Sequence, residues 1–259
     1  MIRLSGCVIS FNEEDRIEAC LRSLGFCDEI LVLDSHSTDR TREFAGSLGA
    51  RVETGEFLGH SRQKQAAVDL AKNDWILSID CDEIVTEGLA REIRREIAAT
   101  GEGVVGYRMP RRNVYLGRTM RHGLFWPDRK LRLFDRRKAR WGGTDPHDQV
   151  MPMVPGSIIE IREPILHDSY RSFQEHRDTV DRFAKSAARA MADEGRSAGA
   201  LSPWTRSALA LTKGLLLKAG FMDGWRGVLA ACMSAKYDYI KYRELRALER
   251  KRWATGAGG

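Results

Sequence analysis

The chain of 259 residues is long enough for one sizeable core, or for one catalytic domain with a smaller appendage, and its 42% apolar content is that of an ordinary globular protein. Five scattered cysteines (Cys7, Cys20, Cys27, Cys81 and Cys232) include no C-x-x-C pair, which argues against a disulfide framework or a zinc knuckle and for reduced thiols. The net charge of +6 is unevenly placed: over residues 108–140 twelve Lys and Arg oppose two acids, a local charge of +10 that leaves −4 for the rest. Such a stretch suits an anionic partner (phosphate groups, a membrane surface or nucleic acid) or forms a solvated arginine-rich surface.

The first residues, MIRLSGCVIS, read as a short strand rather than a secretory signal, so a cytosolic protein is expected. Short apolar runs then alternate with amphipathic stretches, the pattern of βαβ units and a parallel sheet. Strands are expected at 4–10, 29–34, 51–53 and 75–79, and helices at 14–24, 40–48, 62–72 and 87–99. Asn12, Thr38 and Ser61 are the expected N-caps, each placing a side-chain oxygen before a helical pattern. After Gly101 the character changes to strands at 104–109, 130–134 and 158–161 among arginine-rich loops. GEGVVG at 101–106 fits G-x-G-x-x-G but lies between a helix and a strand, the wrong order for a dinucleotide fingerprint, and reads as a turn. From Ser172 the pattern is helical, with breaks near 195–203 and 220–224. The expected division is therefore 1–171, itself changing character after residue 100, followed by a helical region 172–259. Segment 208–221 is too short to span a bilayer; its lysines beside a leucine-rich face suit either a membrane surface or a packed amphipathic helix.

Three stretches carry chemistry. In WILSIDCDEI a buried-looking strand ends in Asp80, Asp82 and Glu83, at the edge where open α/β sheets bind ligands. In extended backbone Asp80 and Asp82 would project from one face and hold a divalent cation that also binds a diphosphate. Alternatively, Glu83 favours the start of the next helix. In ISFNEEDRI, Asn12 and Glu13 lie where the first strand meets the crevice, with backbone N–H groups open to an anion. In LVLDSHSTDRT, Asp34 ends the second strand and can accept from ribose hydroxyls, while Asp39 can accept a pyrimidine N–H.

In order and spacing, VISFNEE, VLDSHSTD, GHSRQKQAA and SIDCDE resemble the N-terminal half of family 2 glycosyltransferases, which share the GT-A fold. GYRMPRRNVYLG, MRHGLFWPDRKLRLFDRRKARWGG, PHDQV and ILHDSYRS extend the resemblance to the subgroup that builds the lipopolysaccharide inner core, notably transferases adding glucose to heptose. The resemblance implies an α/β fold with a GT-A type, mostly parallel nucleotide-binding sheet flanked by helices and a C-terminal helical extension, with 1–100 binding the nucleotide-sugar and 101–171 forming the acceptor side. It also implies transfer of a hexose, glucose by preference, from a UDP-sugar to a lipopolysaccharide core or similar glycolipid, with inversion. Ser10, Phe11, Asn12, Glu13 and Asp34 would hold the uridine nucleotide, with Asp39 near the base and Gln63 and Lys64 beside it. Asp80 would approach the sugar and Asp82 bind Mg²⁺ or Mn²⁺ on the diphosphate. His36 stands where a glycine is common, Cys81 where alanine is, and Asp148 where many relatives have glutamate.

Inverting transfer needs a base for the acceptor hydroxyl and a cation to offset charge on the departing diphosphate. Asp148 is the first choice of base, with Asp128 and Asp145 as alternatives; His147 would orient it or contact the acceptor, or be a structural histidine. Arg111, Arg112, Arg121 and Arg129 would form a rim for an anionic glycolipid, and the basic cluster 241–252 would meet headgroups on the cytoplasmic face of the inner membrane. No nucleic-acid partner is expected, and oligomeric state is left open. The competing readings are a sugar-phosphate nucleotidyltransferase, whose glycine- and arginine-rich loop is replaced here by SFNEED, and a non-catalytic basic module binding nucleic acid or membrane.

Overall fold

The structure is a computed structural model describing residues 2–143 and 148–254. The chain folds into two compact units, Met1–Arg112 with Asp128–Asp168, and Asn113–Pro127 with Ser169–Gly259.

The first unit begins with β1 (Leu4–Ser10), α1 (Ile17–Ser23), β2 (Glu29–Asp34), α2 (Thr41–Ser47), β3 (Arg51–Thr54), α3 (His60–Leu70) and β4 (Trp75–Asp80). β5 (Glu83–Val85) and α4 (Glu87–Ala98) follow. Along the chain then come β6 (Val104–Tyr115), β7 (Arg118–Thr119), β8 (Arg129–Asp135), β9 (Ala139–Gly142), β10 (Gln149–Pro152), β11 (Ser157–Glu160) and β12 (Ile165–Tyr170), of which β7 and the ends of β6 and β12 fall in the second unit. The main sheet runs β3-β2-β1-β4-β8-β6-β12-β5. Its first four strands are parallel, while β8 pairs antiparallel with both β4 and β6. The α/β expectation holds, with the parallel pairing confined to β1–β4 apart from the pairing of β11 with β6.

β1 and β4 read as near-continuous apolar runs because both faces are covered. α1 buries Ile17, Cys20 and Leu21, the spacing of one helix face, and α4 buries Leu89, Ile93 and Ile97 likewise. The chain winds from β1 outward to β3 and then returns to place β4 on the other side of β1, which makes a topological switch point between β1 and β4. Register sets Ser10 beside Asp34 and Ile9 beside Asp80, so the polar strand ends line one edge.

The second unit contains α5 (Phe173–Asp193), α6 (Ser202–Thr212) and α7 (Trp225–Ala254). α6 and α7 are joined by a π-helical turn, Lys213–Leu217, and a 3-10 turn, Gly220–Asp223. α5 and α7 pack through Ala188, Met191, Ala192 and Leu245.

The expected caps are corrected. α1, α2 and α3 start after Arg16, Arg40 and Gly59, none with a side-chain cap. Asn12 and Thr38 instead bond each other, the Thr38 N–H donating to Asn12 Oδ1 at 2.8 Å, because two loops meet there and compete for the same groups. Ser61 falls inside α3. α4, by contrast, is capped by Thr86, which accepts from the Leu89 N–H.

Candidate active site

The donor-side loops are woven together by their own polar groups. Asp34 has no exposed surface; it accepts from Ser10 Oγ at 2.8 Å and from the Ser37 N–H at 2.7 Å, with the Arg42 Nε 3.7 Å away. The N–H groups of Asn12, Glu13 and Glu14 donate to Ser37 Oγ, Thr41 Oγ1 and Asp39 Oδ2. This corrects the expectation that they stand open to an anion. Asp39 also accepts from the Thr41 N–H and hydroxyl; slight desolvation pushes its carboxyl up, but these hydrogen bonds outweigh it and hold it below the usual range. Asp34 and Asp39 therefore fix the shape of these loops, and Phe11, 57% exposed, is an outward apolar face on them. Asn12 and His36 both have positive φ, 53° and 60°, so His36 takes the left-handed conformation for which glycine is common.

Gln63 and Lys64 are buried on α3 and face the sheet edge. Gln63 Nε2 donates to Ser35 Oγ at 3.1 Å. The Lys64 ammonium sits 2.8 Å from both Asp80 Oδ1 and Asp148 Oδ2, above the ring of Trp141. The other Asp80 oxygen meets Arg132 at 2.6 Å, and Arg132 bridges onward to the wholly buried Glu83 at 2.9 Å. Arg111 continues from Glu83 at 3.3 Å to Asp128 at 2.7 Å. The result is a ladder of alternating charge: Asp148, Lys64, Asp80, Arg132, Glu83, Arg111, Asp128. Burial would raise the Asp80 carboxyl, but Arg132 and Lys64 outweigh it and hold it well below the usual carboxylate range. Asp128 behaves the same way: Arg111 and Lys130 overcome its desolvation and lower it.

Glu83 does not open the next helix; it lies in β5, accepts the Asp80 N–H at 3.0 Å, and anchors the two arginines. Nor do Asp80 and Asp82 share an extended strand face. β4 ends at Asp80, and Cys81 and Asp82 form the turn into β5. That turn points Asp82 toward β12, where its Oδ2 is 3.1 Å from His167 Nε2.

These positions decide where a divalent ion would fit. Both Asp80 oxygens are held by cations, whereas Asp82 and His167 are partly exposed and bring a carboxylate oxygen and an imidazole nitrogen together. Among the described residues no group of three or more His, Cys, Asp or Glu could hold a metal. A hard cation on a diphosphate needs only one or two protein carboxylates, the other positions going to phosphate and water oxygens, so Asp82 fits such an ion, with His167 beside it as a nitrogen donor.

A cleft of about 560 Å³ opens beside the ladder, lined by Lys64, Asp80, Arg132, Trp141 and Asp148, with Arg108, Arg111, Arg129 and Lys130 along it. Of the expected arginine rim, Arg111 and Arg129 line this cleft. Arg112 is exposed and does not, and Arg121 belongs to the second unit, where its N–H donates to Asp223. Asp145 and His147 lie outside the described residues. The sequence reading missed Arg132, Trp141 and His167 as site residues. Arg132 alternates with apolar neighbours in RKLRLFD, and its inward direction was the only available signal.

The fold is α/β, and at its switch point a strand-end acid lies between two cations beside a basic cleft. The chain belongs to glycosyl transferase family 2, whose family model matches residues 5–157. It is a glycosyltransferase by that membership. It is 28% identical over 256 residues to an uncharacterized glycosyltransferase of Rickettsia bellii, covering 95% of this chain and 87% of that one. It is 31% identical over 180 residues to the lipopolysaccharide core biosynthesis glycosyltransferase LpsC of Rhizobium meliloti, covering 64% and 65%. Among solved structures, glucosyl-3-phosphoglycerate synthase from Mycobacterium tuberculosis, in complex with Mn²⁺, UDP and glucosyl-3-phosphoglycerate, aligns with a TM-score of 0.47 at 17% identity. That alignment covers 76% of this chain and 82% of the other.

Proposed function

We propose that this protein transfers a hexose, glucose by preference, from a UDP-sugar to a lipopolysaccharide core or similar anionic glycolipid, with inversion, working as a peripheral protein on the cytoplasmic face of the inner membrane. The similarity to LpsC supports the acceptor class. The observation that carries the chemistry is the Asp148–Lys64–Asp80 bridge in a basic cleft at the sheet edge.

In this reading an acceptor hydroxyl in the cleft attacks the anomeric carbon while the bond to the diphosphate breaks. The electron pair leaves with UDP, and Asp148 takes the hydroxyl proton. Asp128 is held between Arg111 and Lys130, which keep its carboxyl ionised and lower its pKa against the pull of burial. Asp80, fixed by Arg132 and Lys64, positions the donor sugar. Asp82 and His167 would hold Mg²⁺ or Mn²⁺, which when bound offsets charge on the diphosphate. The lysine and arginines along the cleft supply charge complementarity for acceptor phosphates.

Calorimetric titration with UDP, with and without Mn²⁺, tests the donor side. Wild type should bind UDP more tightly with metal, by roughly tenfold or more, and Asp82→Asn should lose that difference. Asp148→Asn should lower turnover by about 10²–10⁴-fold with UDP affinity little changed. Metal-independent UDP binding, or full turnover by Asp148→Asn, would overturn these roles.

A further inference from the structure

We propose that the hairpin joining α6 to α7 is a docking surface for an anionic lipid bilayer. The observation is a concentration of outward apolar side chains in the second unit: Leu209, Leu216, Leu217, Phe221, Met222 and Trp225 are all more than half exposed, Leu217 by 75%. Scattered exposed leucines need no explanation, but a dense cluster of this kind marks an interaction surface.

The tip of the hairpin is a built structure. A Cβ on Gly220 would meet the Gly214 carbonyl oxygen at 2.5 Å, and one on Gly227 would collide with the Gly220 carbonyl oxygen. Only glycines let these turns approach so closely, so the space inside is taken by backbone and the large side chains are held outside. The Gly123 N–H donates to the Lys218 carbonyl at 2.7 Å, and Asp223 accepts the N–H groups of Arg121 and His122, which ties the tip down.

Charge selects the occupant. Between Leu201 and Val228 the charged residues are Arg206, Lys213, Lys218, Asp223 and Arg226; the single acid, Asp223, is buried on those backbone donors. The outward charge of the patch is therefore wholly cationic. A two-fold contact with a second copy would press these cations against themselves, whereas anionic headgroups complement them while Leu, Phe and Trp enter the acyl boundary. Among the described residues no helix is long and apolar enough to cross a membrane, which agrees with a segment that lies on the surface. The inference deepens the reading of a glycolipid acceptor and can be tested apart from it.

The full chain is sedimented with phosphatidylcholine vesicles and with phosphatidylcholine–phosphatidylglycerol vesicles, and the same samples are titrated with UDP. Wild type should favour the anionic vesicles by about tenfold or more. L216E/L217E should lose most of that binding, K213E/K218E should lose the preference for anionic lipid, and Val154→Glu, exposed in the first unit, should lose neither. UDP binding should persist in all of them and certifies that they are folded. Failure of wild type to bind either vesicle, or wild-type binding by L216E/L217E, overturns the proposal. So does light scattering that finds wild type dimeric and L216E/L217E monomeric without vesicle binding. Vesicle binding as expected with no UDP binding by wild type, and with cooperative urea unfolding at the wild-type midpoint certifying the variants instead, leaves this proposal standing and removes the donor reading.

Discussion

Replacing Arg132 with Met removes the cation that bridges Asp80 and Glu83 while keeping most of the side chain's apolar length. Arg132 is 3% exposed and Glu83 not at all, so Glu83 would be left with poor access to water, while Asp80 still opens on the cleft. Removing one partner of a buried ion pair costs about 3–5 kcal/mol. Here Arg111 still lies 3.3 Å from Glu83 and Lys64 2.8 Å from Asp80, which places the expected loss near the lower end, about 3 kcal/mol. Urea unfolding followed by tryptophan fluorescence at pH 7 measures it directly. Acid supplies a second signature. The Asp80 carboxyl is held below its unfolded value of about 4, so its stabilising contribution is present above that pH and fades as pH falls through the folded value. Arg132 is the largest attractive cause of that lowering, so the deficit of Arg132→Met should shrink on acidification. Pairing it with Glu83→Gln should show coupling of about 1–3 kcal/mol, since the two share one network. A deficit under about 1 kcal/mol at pH 7, or one indifferent to acid, would refute the claim that Arg132 holds the sheet edge together.

Gly106→Ala in β6 should destabilise by about 1–3 kcal/mol, because the new methyl would meet the Leu133 carbonyl oxygen at 2.6 Å and Phe134 Cβ at 2.9 Å; the urea midpoint reads this. His176 is buried and hydrogen-bonded to the Tyr115 hydroxyl at 2.8 Å; burial chiefly, with Lys236 assisting and Glu175 opposing, lowers its pKa to about 4. A depressed histidine contributes stability that is full above its unfolded value and lost as pH falls toward 4. Wild type should therefore lose up to about 3 kcal/mol between pH 6.5 and 4, and His176→Gln should lose less over the same window in pH-dependent urea unfolding.

Much of the first unit was legible because its strands are buried on both faces and so announce themselves as apolar runs ending in polar residues. Leu4–Ser10 and Glu29–Asp34 were read to the residue, and the chain order of strands and helices through α4 was also readable apart from the short β5. β6 was read only to Met109 because Pro110 and two arginines look like a loop, yet Pro110 pairs with Arg129 and the strand continues to Tyr115. β9, β10 and β12 were not read, being short or mixed in polarity and held by partners rather than by their own pattern.

The sequence by itself determined that acids and polar turns gather at the carboxyl ends of a parallel sheet, since strand periodicity and burial are local properties. Tertiary structure alone decided what those groups touch. Asp80 meets Arg132 across 52 residues, Lys64 meets Asp148 across 84, and Asp82 meets His167 across 85. Hydrogen bonds that a helix start would have used went instead to the neighbouring loop, because Asn12 and Thr38 were brought within reach of each other. Such pairings depend on strand order and register, which place distant side chains at one edge and cannot be inferred from the spacing of residues along the chain.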